Sequence, residues 1–237
     1  MQRFDVLLRW MGAVGITLTP LFFFVLPSML TVGYDTAEEQ FRALVDESTG
    51  LGSRGFVAQL VQLCAPVFLM LASIGIGGFT IARGRGRTLG AIGLIVGMVS
   101  AISALVCLGI ELGMFFFLTT ATDADAAVAQ ALAWVSWPPF VISLWGALFG
   151  LILTLPILAL ALWRSRMVPI FVPLLFGLPL VIAFLPYSNV SNTVSYVAML
   201  VPCVWMAVQL IRGTPRGVDS ITPATAVLAE QKDEVDS

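Results

Sequence analysis

The sequence predicts an all-α membrane protein, a bundle of six transmembrane helices with both termini in the cytoplasm. Hydrophobic residues make up 59% of the chain and charged residues 11%, whereas soluble domains are about half apolar and a quarter charged. The apolar residues form long continuous runs, and not the segments of ~10 alternating residues that are typical of membrane β-barrels. Arginines flank these runs at alternate connections, which predicts the orientation.

Six apolar runs define the predicted helices. A bilayer core of ~30 Å requires about 20 helical residues, and the fifth and sixth runs are near the lower limit of that length. The predicted helices cover residues 10–32, 56–82, 88–118, 139–163, 168–185 and 193–211. Together they form one transmembrane domain, residues 1–213.

The arginine distribution predicts which connections face the cytoplasm. Alternate connections carry most of the basic residues: Arg3, Arg9, Arg83, Arg85, Arg87, Arg164, Arg166, Arg212 and Arg216. The three remaining connections, residues 33–55, 119–138 and 186–192, hold only two arginines but seven acids. Because arginine and lysine are enriched in cytoplasmic loops, this alternation places those three loops outside, in a cell membrane.

The first helix and the C-terminal segment mark the two ends of this arrangement. The first apolar run is longer than the 7–15 residues of a signal peptide core and lacks a cleavage pattern, so we expect it to be retained. Pro20 and Pro27 lie inside it and predict a kink. Residues 214–237 are polar and acidic, and they predict a disordered cytoplasmic tail.

The first outer loop contains the pattern of a short amphipathic helix. Thr36 and Glu39 match a capping box, and Phe41 and Leu44 then share one helical face. Such a helix either covers the end of the bundle or docks a partner. The second outer loop opens with Thr122-Asp123-Ala124-Asp125, a second N-cap signature.

Glu111 is the one ionisable residue inside an apolar run. A buried acid in a membrane indicates a functional site by default. It follows Arg87 by 24 residues, or roughly 36 Å of ideal helix, which places it near the outer headgroups. Two interpretations remain open: a structural residue at the interface, or a proton, cation or polar site within the membrane.

Three pairs of glycines lie four residues apart, a spacing that lets helices approach closely in a bilayer. These pairs are Gly93 and Gly97, Gly109 and Gly113, and Gly146 and Gly150. We expect them to pack helices within the monomer, with homodimerisation as the alternative.

Two further patterns are weaker. Arg83, Arg85 and Arg87 are candidates for contact with an anionic lipid headgroup, although orientation alone explains them. Prolines are expected to interrupt four other helices, a feature that transporters use to free backbone carbonyls. These are Pro66, Pro156, Pro173, Pro179 and Pro202.

The chain has no histidine, which excludes histidine metal sites and serine–histidine–aspartate catalysis. We expect no cofactor, no metal and no nucleic-acid partner; the expected partners are the bilayer and a membrane protein or second copy. The leading hypothesis is therefore a non-catalytic accessory or scaffold subunit. The alternatives are a small-solute or ion transporter that uses Glu111, and a lipid-modifying enzyme that uses Glu111 with Asp123 or Asp125.

Overall fold

The computed structural model describes residues 2–26, 37–45, 51–177 and 189–213, and within these ranges it contains helices and no strand. The α-helices are α1 (Gln2–Pro20), α2 (Ala37–Val45), α3 (Leu51–Leu63), α4 (Ala65–Arg83), α5 (Arg87–Thr120), α6 (Ala124–Val135), α7 (Pro138–Arg164), α8 (Phe171–Leu175) and α9 (Asn189–Arg212). A π-helical turn, Leu21–Val25, follows α1.

Four segments are long and apolar enough to cross a membrane. They are Arg3–Val25, Arg54–Arg83, Arg87–Thr120 and Pro138–Arg164. An all-helical membrane protein is therefore what the structure supports. The first ten residues of the fifth predicted span, 168–177, are described and include the short helix α8, but residues 178–185 lie outside the described residues, so the count of six remains a prediction.

Prolines alter some of these helices and leave others intact. Pro20 ends α1, and Pro66 follows the break at Cys64 between α3 and α4, because proline lacks the N–H of the regular ladder. The helices α7 and α9, however, continue through Pro156 and Pro202. The expectation that these two prolines break their helices is wrong, since neighbouring helices can support a proline inside a membrane helix.

The other prolines give a mixed result. Pro173 lies inside the five-residue helix α8 and so does not end it. Pro27 and Pro179 lie outside the described residues.

The long helix α5 lies at the centre of the bundle, between α4 and α7. Helix α1 packs against α4 and α9, and α8 connects α7 to α9. The core between these helices contains large side chains that are fully buried, including Ile16, Leu69, Ile76, Phe79, Leu151, Leu155, Leu158, Leu162, Met206 and Leu210.

A second, smaller core lies where α5 ends and α7 begins. Phe41 of α2 is buried there together with Met114 and Leu118 of α5, and α6 contributes Val128. Arg42 of α2 donates a hydrogen bond to the Oδ1 atom of Asp125, the second residue of α6, at 2.9 Å. The apolar face of α2 is therefore turned toward the bundle, as a covering helix requires. Thr36, its expected cap, lies outside the described residues.

The arginine-bearing segments meet at the opposite end. A Cβ on Gly86, whose φ is +77°, would lie 2.6 Å from the carbonyl oxygen of Ala161, so the α4–α5 turn sits directly against the end of α7. Arg83 contacts Met167, and Arg9 lies against Gly213. Basic residues are thus gathered at one end of the bundle, and the Arg42–Asp125 pair lies at the other.

Candidate functional site

Glu111 accepts hydrogen bonds from two side chains. Gln59 Nε2 of α3 donates to its Oε2 atom at 3.3 Å, and the Cys107 thiol donates to its Oε1 atom at 3.7 Å. Cys107 precedes Glu111 by four residues, so one turn of α5 aligns the two side chains. The carboxyl group is therefore held by protein groups, and we name Gln59, Cys107 and Glu111 the polar cluster.

The polar cluster leaves one hydrogen-bonding atom unused. Gln59 Oε1 is buried and has no hydrogen-bond partner among the described residues. Such an atom usually finds a partner, because an unsatisfied buried polar group costs about 1–3 kcal/mol. A carboxylic acid can donate to it, whereas a carboxylate can only accept. Protonation of Glu111 would therefore add a donor to the polar cluster.

Gln62 lies one turn further along α3 and has a structural partner. Its Nε2 donates to the carbonyl oxygen of Phe23, in the π-helical turn, at 3.2 Å. Residue 27 is proline, so the regular donor four residues after Phe23 is missing. The two glutamines were missed by sequence reasoning. Two amides three residues apart within an apolar run were the available signal.

The position of Glu111 along α5 sharpens the sequence interpretation. It lies nine residues before Thr120, or roughly 14 Å from the helix end. The second core, with α2 and α6, covers that end of α5. Its carboxyl group is therefore partly buried among protein groups beneath this cover.

The two other acids considered for catalysis have structural partners. Asp123 caps α6, where its carboxylate accepts from the Ala126 amide at 3.2 Å. Asp125 pairs with Arg42, which also pairs with Glu38 at 3.1 Å. The hydrogen bonds that Arg42 donates, first to Asp125 and second to Glu38, raise the pKa of Arg42 above its ordinary value. No hydrogen bond described in the structure joins either acid to Glu111.

Four of the six predicted glycines lie in helix contacts within the monomer. A Cβ on Gly93 would meet Leu158 at 2.7 Å, and one on Gly97 would overlap Ser73 Oγ. Gly146 and Gly150 lie against Ser103 and Ser100 of α5. Ser100 Oγ also donates to the Ala147 carbonyl at 3.1 Å. These glycines allow α5 to approach both α4 and α7.

Gly109 and Gly113 differ from the other two pairs. A Cβ added at either position would meet no described atom within 4 Å. They belong to an exposed stripe of α5 that also includes Ile102, Val106 and Phe116, which are 53%, 48% and 65% exposed. We name these five residues the α5 stripe. Its spacing of four, three, four and three residues keeps it on one helical face.

The closest backbone approach was not predicted from the sequence. A Cβ on Gly15 of α1 would overlap the Ala72 amide and lie 2.6 Å from the Phe68 carbonyl oxygen. A Cβ on Gly75 of α4 would lie 2.6 Å from the Leu8 carbonyl oxygen. Gly12 and Gly15 of α1 both lie against α4 and are three residues apart. The predicted glycine pairs have a spacing of four residues and therefore do not include them.

The three arginines proposed for lipid contact separate into two environments. The Arg83 guanidinium lies 4.6 Å from the centre of the Phe79 ring and 3.7 Å from Met167 Sδ. Arg85 and Arg87 instead line a cavity of about 560 Å³ together with Trp163 and Arg164 from the end of α7. The sequence did not predict that these last two residues lie beside Arg85 and Arg87, because they are distant along the chain.

Within the described ranges, no group of three or more cysteine, aspartate or glutamate side chains comes close enough to hold a metal ion. The candidate functional features of the described residues are the helix packing, the polar cluster and the cavity lined by arginines. The chain matches no protein-family model, and comparison with curated proteins and with solved structures finds no significant similarity.

Proposed function

We propose that this protein is a non-catalytic accessory or scaffold subunit that binds a transmembrane helix of a partner membrane protein through the α5 stripe. The observation that carries the proposal is the difference between the glycine pairs. Gly93, Gly97, Gly146 and Gly150 lie in helix contacts inside the monomer, whereas a Cβ added at Gly109 or Gly113 would meet no described atom within 4 Å. Glycines four residues apart let a second helix approach closely in lipid, where packing drives association.

The rest of the molecule fits a scaffold. The outer helices α2 and α6 pack onto the bundle through Phe41 and Val128. Helix α5 is held on two sides by glycine contacts with α4 and α7. A rigid helix that presents a preformed face loses little conformational freedom when a partner binds.

Replacing both Gly109 and Gly113 with leucine is expected to abolish co-purification of the partner in mild detergent while the protein remains folded. Two leucines would hold the helices apart, and the Cβ atom of each would meet no described atom of the monomer within 4 Å. The measurement is quantitative mass spectrometry of proteins that co-purify with the tagged chain.

The control is Val67→Leu, which enlarges a 49% exposed apolar residue on α4. Equal recovery of partners by the double variant and the control would contradict the proposal. A second copy recovered as the partner would show a homo-oligomer instead.

A second candidate function is a small-solute or ion transporter, and the polar cluster favours it. Gln59 Oε1 is buried without a partner next to a carboxyl group that can carry a proton. Intramembrane acids with amide partners mark proton and ion pathways in transporters. Proton flux in proteoliposomes that is lost in Glu111→Gln and kept in Glu38→Gln, a change at an exposed acid, would establish this function.

The proposed orientation has its own test. Thr122→Cys should react with a membrane-impermeant maleimide in intact cells, and Arg85→Cys should react only after permeabilisation. The reason is that arginine-rich connections stay in the cytoplasm. Both variants are made in a chain with Cys64→Ser, because Cys64 is exposed. Reversed labelling would overturn the orientation.

A further inference from the structure

The turn between α4 and α5 forms one wall of a basic cavity, and the end of α7 forms the other. The cavity measures about 560 Å³, and its charged lining residues are Arg85, Arg87 and Arg164. Arg85 of the turn, Arg87 of α5 and Arg164 of α7 thus line one space. Within the described part of the chain, no ion pair neutralises any of the three.

Backbone groups add to this positive charge. Helix α5 begins at Arg87, and its N-cap, Gly86, has no side chain that could accept from the first-turn amides. Thr88 and Leu89 of that turn also line the cavity. The free amides at a helix start carry a partial positive charge that favours anions.

Three carbonyl groups at the end of α7 already accept hydrogen bonds from backbone amides. The Ala161, Leu162 and Trp163 carbonyl oxygens accept from the amides of residues 165, 167 and 166. These carbonyl groups are therefore already paired. Trp163 lies beside the cavity, as expected of a side chain at the headgroup level.

We propose that this cavity binds the phosphate group of an anionic lipid. Arg85, Arg87 and Arg164 contact the phosphate oxygens, because arginine forms strong paired hydrogen bonds with phosphate. Leu89 and Trp163 supply an apolar wall for the start of the acyl chains. The cavity lies at the ends of two segments that are long enough to span a membrane, α5 and α7. This position favours a lipid headgroup over a free phosphate ester.

The structure also supplies a matched control. Arg83 belongs to the same basic segment but lies over the Phe79 ring and does not line the cavity. Removing its charge lowers the overall basic character by the same amount as removing the charge of Arg87 or Arg164. A general attraction of the basic end for anions would respond equally to all three changes.

The test is a titration of the purified full-length protein in phosphatidylcholine nanodiscs that contain increasing phosphatidylglycerol, with bound lipid counted by native mass spectrometry. We expect saturable binding that is weakened about tenfold by Arg87→Gln or Arg164→Gln and less than twofold by Arg83→Gln. A parallel titration with inorganic phosphate in detergent distinguishes the sources: saturation by phosphate at the same arginines, with no preference for phosphatidylglycerol, would overturn the lipid assignment. Equal weakening by all three substitutions, or no saturable binding, would overturn the site itself.

Discussion

Replacing Gly15 with alanine is expected to lower the free energy of unfolding by about 3 kcal/mol, at the upper end of what overpacking usually costs. The added methyl group would overlap the backbone amide of Ala72 and lie 2.6 Å from the Phe68 carbonyl oxygen. Backbone atoms of a helix cannot rotate away as a side chain can. The helices α1 and α4 would have to separate along their whole contact.

The measurement is thermal unfolding of the detergent-solubilised protein, combined with its yield in the monodisperse peak of size-exclusion chromatography. Gly109→Ala is the matched control, since a Cβ there meets no described atom within 4 Å. Alanine is also the better helix former, by about 1 kcal/mol, so this control should be neutral or slightly stabilising. Loss of stability in Gly109→Ala with none in Gly15→Ala would contradict the described packing.

Replacing Glu111 with leucine is expected to destabilise the protein by about 1–3 kcal/mol, the cost of leaving buried polar groups without partners. Gln59 Nε2 and the Cys107 thiol both donate to this carboxyl group. Gln59 Oε1 already lacks a described partner, so the substitution would leave the whole amide unpaired. Glu111→Gln should have a much smaller effect, because an amide can still accept from Gln59.

The double variant Gln59→Leu with Glu111→Leu separates pairing from burial. Replacing both partners of a buried hydrogen bond with apolar groups can be nearly neutral. We therefore expect the double variant to recover most of the stability that Glu111→Leu loses, measured by thermal unfolding in a double-mutant cycle. Additive losses in the double variant would show that the two side chains do not act as a pair.

The helical class follows from the sequence because composition and run length determine it. Helices α5 and α7 match the predicted runs within two residues at each end. Less regular features escaped prediction. The start of α1 at Gln2 lies before the apolar run, and the break at Cys64 depends on how Pro66 is accommodated.

The candidate sites show why spacing alone is not sufficient. Identical four-residue spacing places Gly97 against Ser73 but leaves Gly109 without a described contact. Whether a given face of a helix is buried or exposed depends on the neighbouring helices. The local spacing of glycines carries no information about those neighbours. Gln59 and Glu111 are 52 residues apart, and the arginine cavity joins residues of two helices. Such pairings arise from tertiary packing.

The central claim is that a partner helix occupies the α5 stripe, and photo-cross-linking in native membranes tests it most directly. A photoreactive phenylalanine analogue replaces Phe116, which is 65% exposed next to Gly113 on the stripe, or Phe149 of α7, which is 56% exposed, as the control. We predict that irradiation links position 116 to a second polypeptide in high yield and that position 149 gives only lipid adducts. The claim would be contradicted if position 116 gave no cross-link to protein, or if positions 116 and 149 gave equal yields of cross-linked protein.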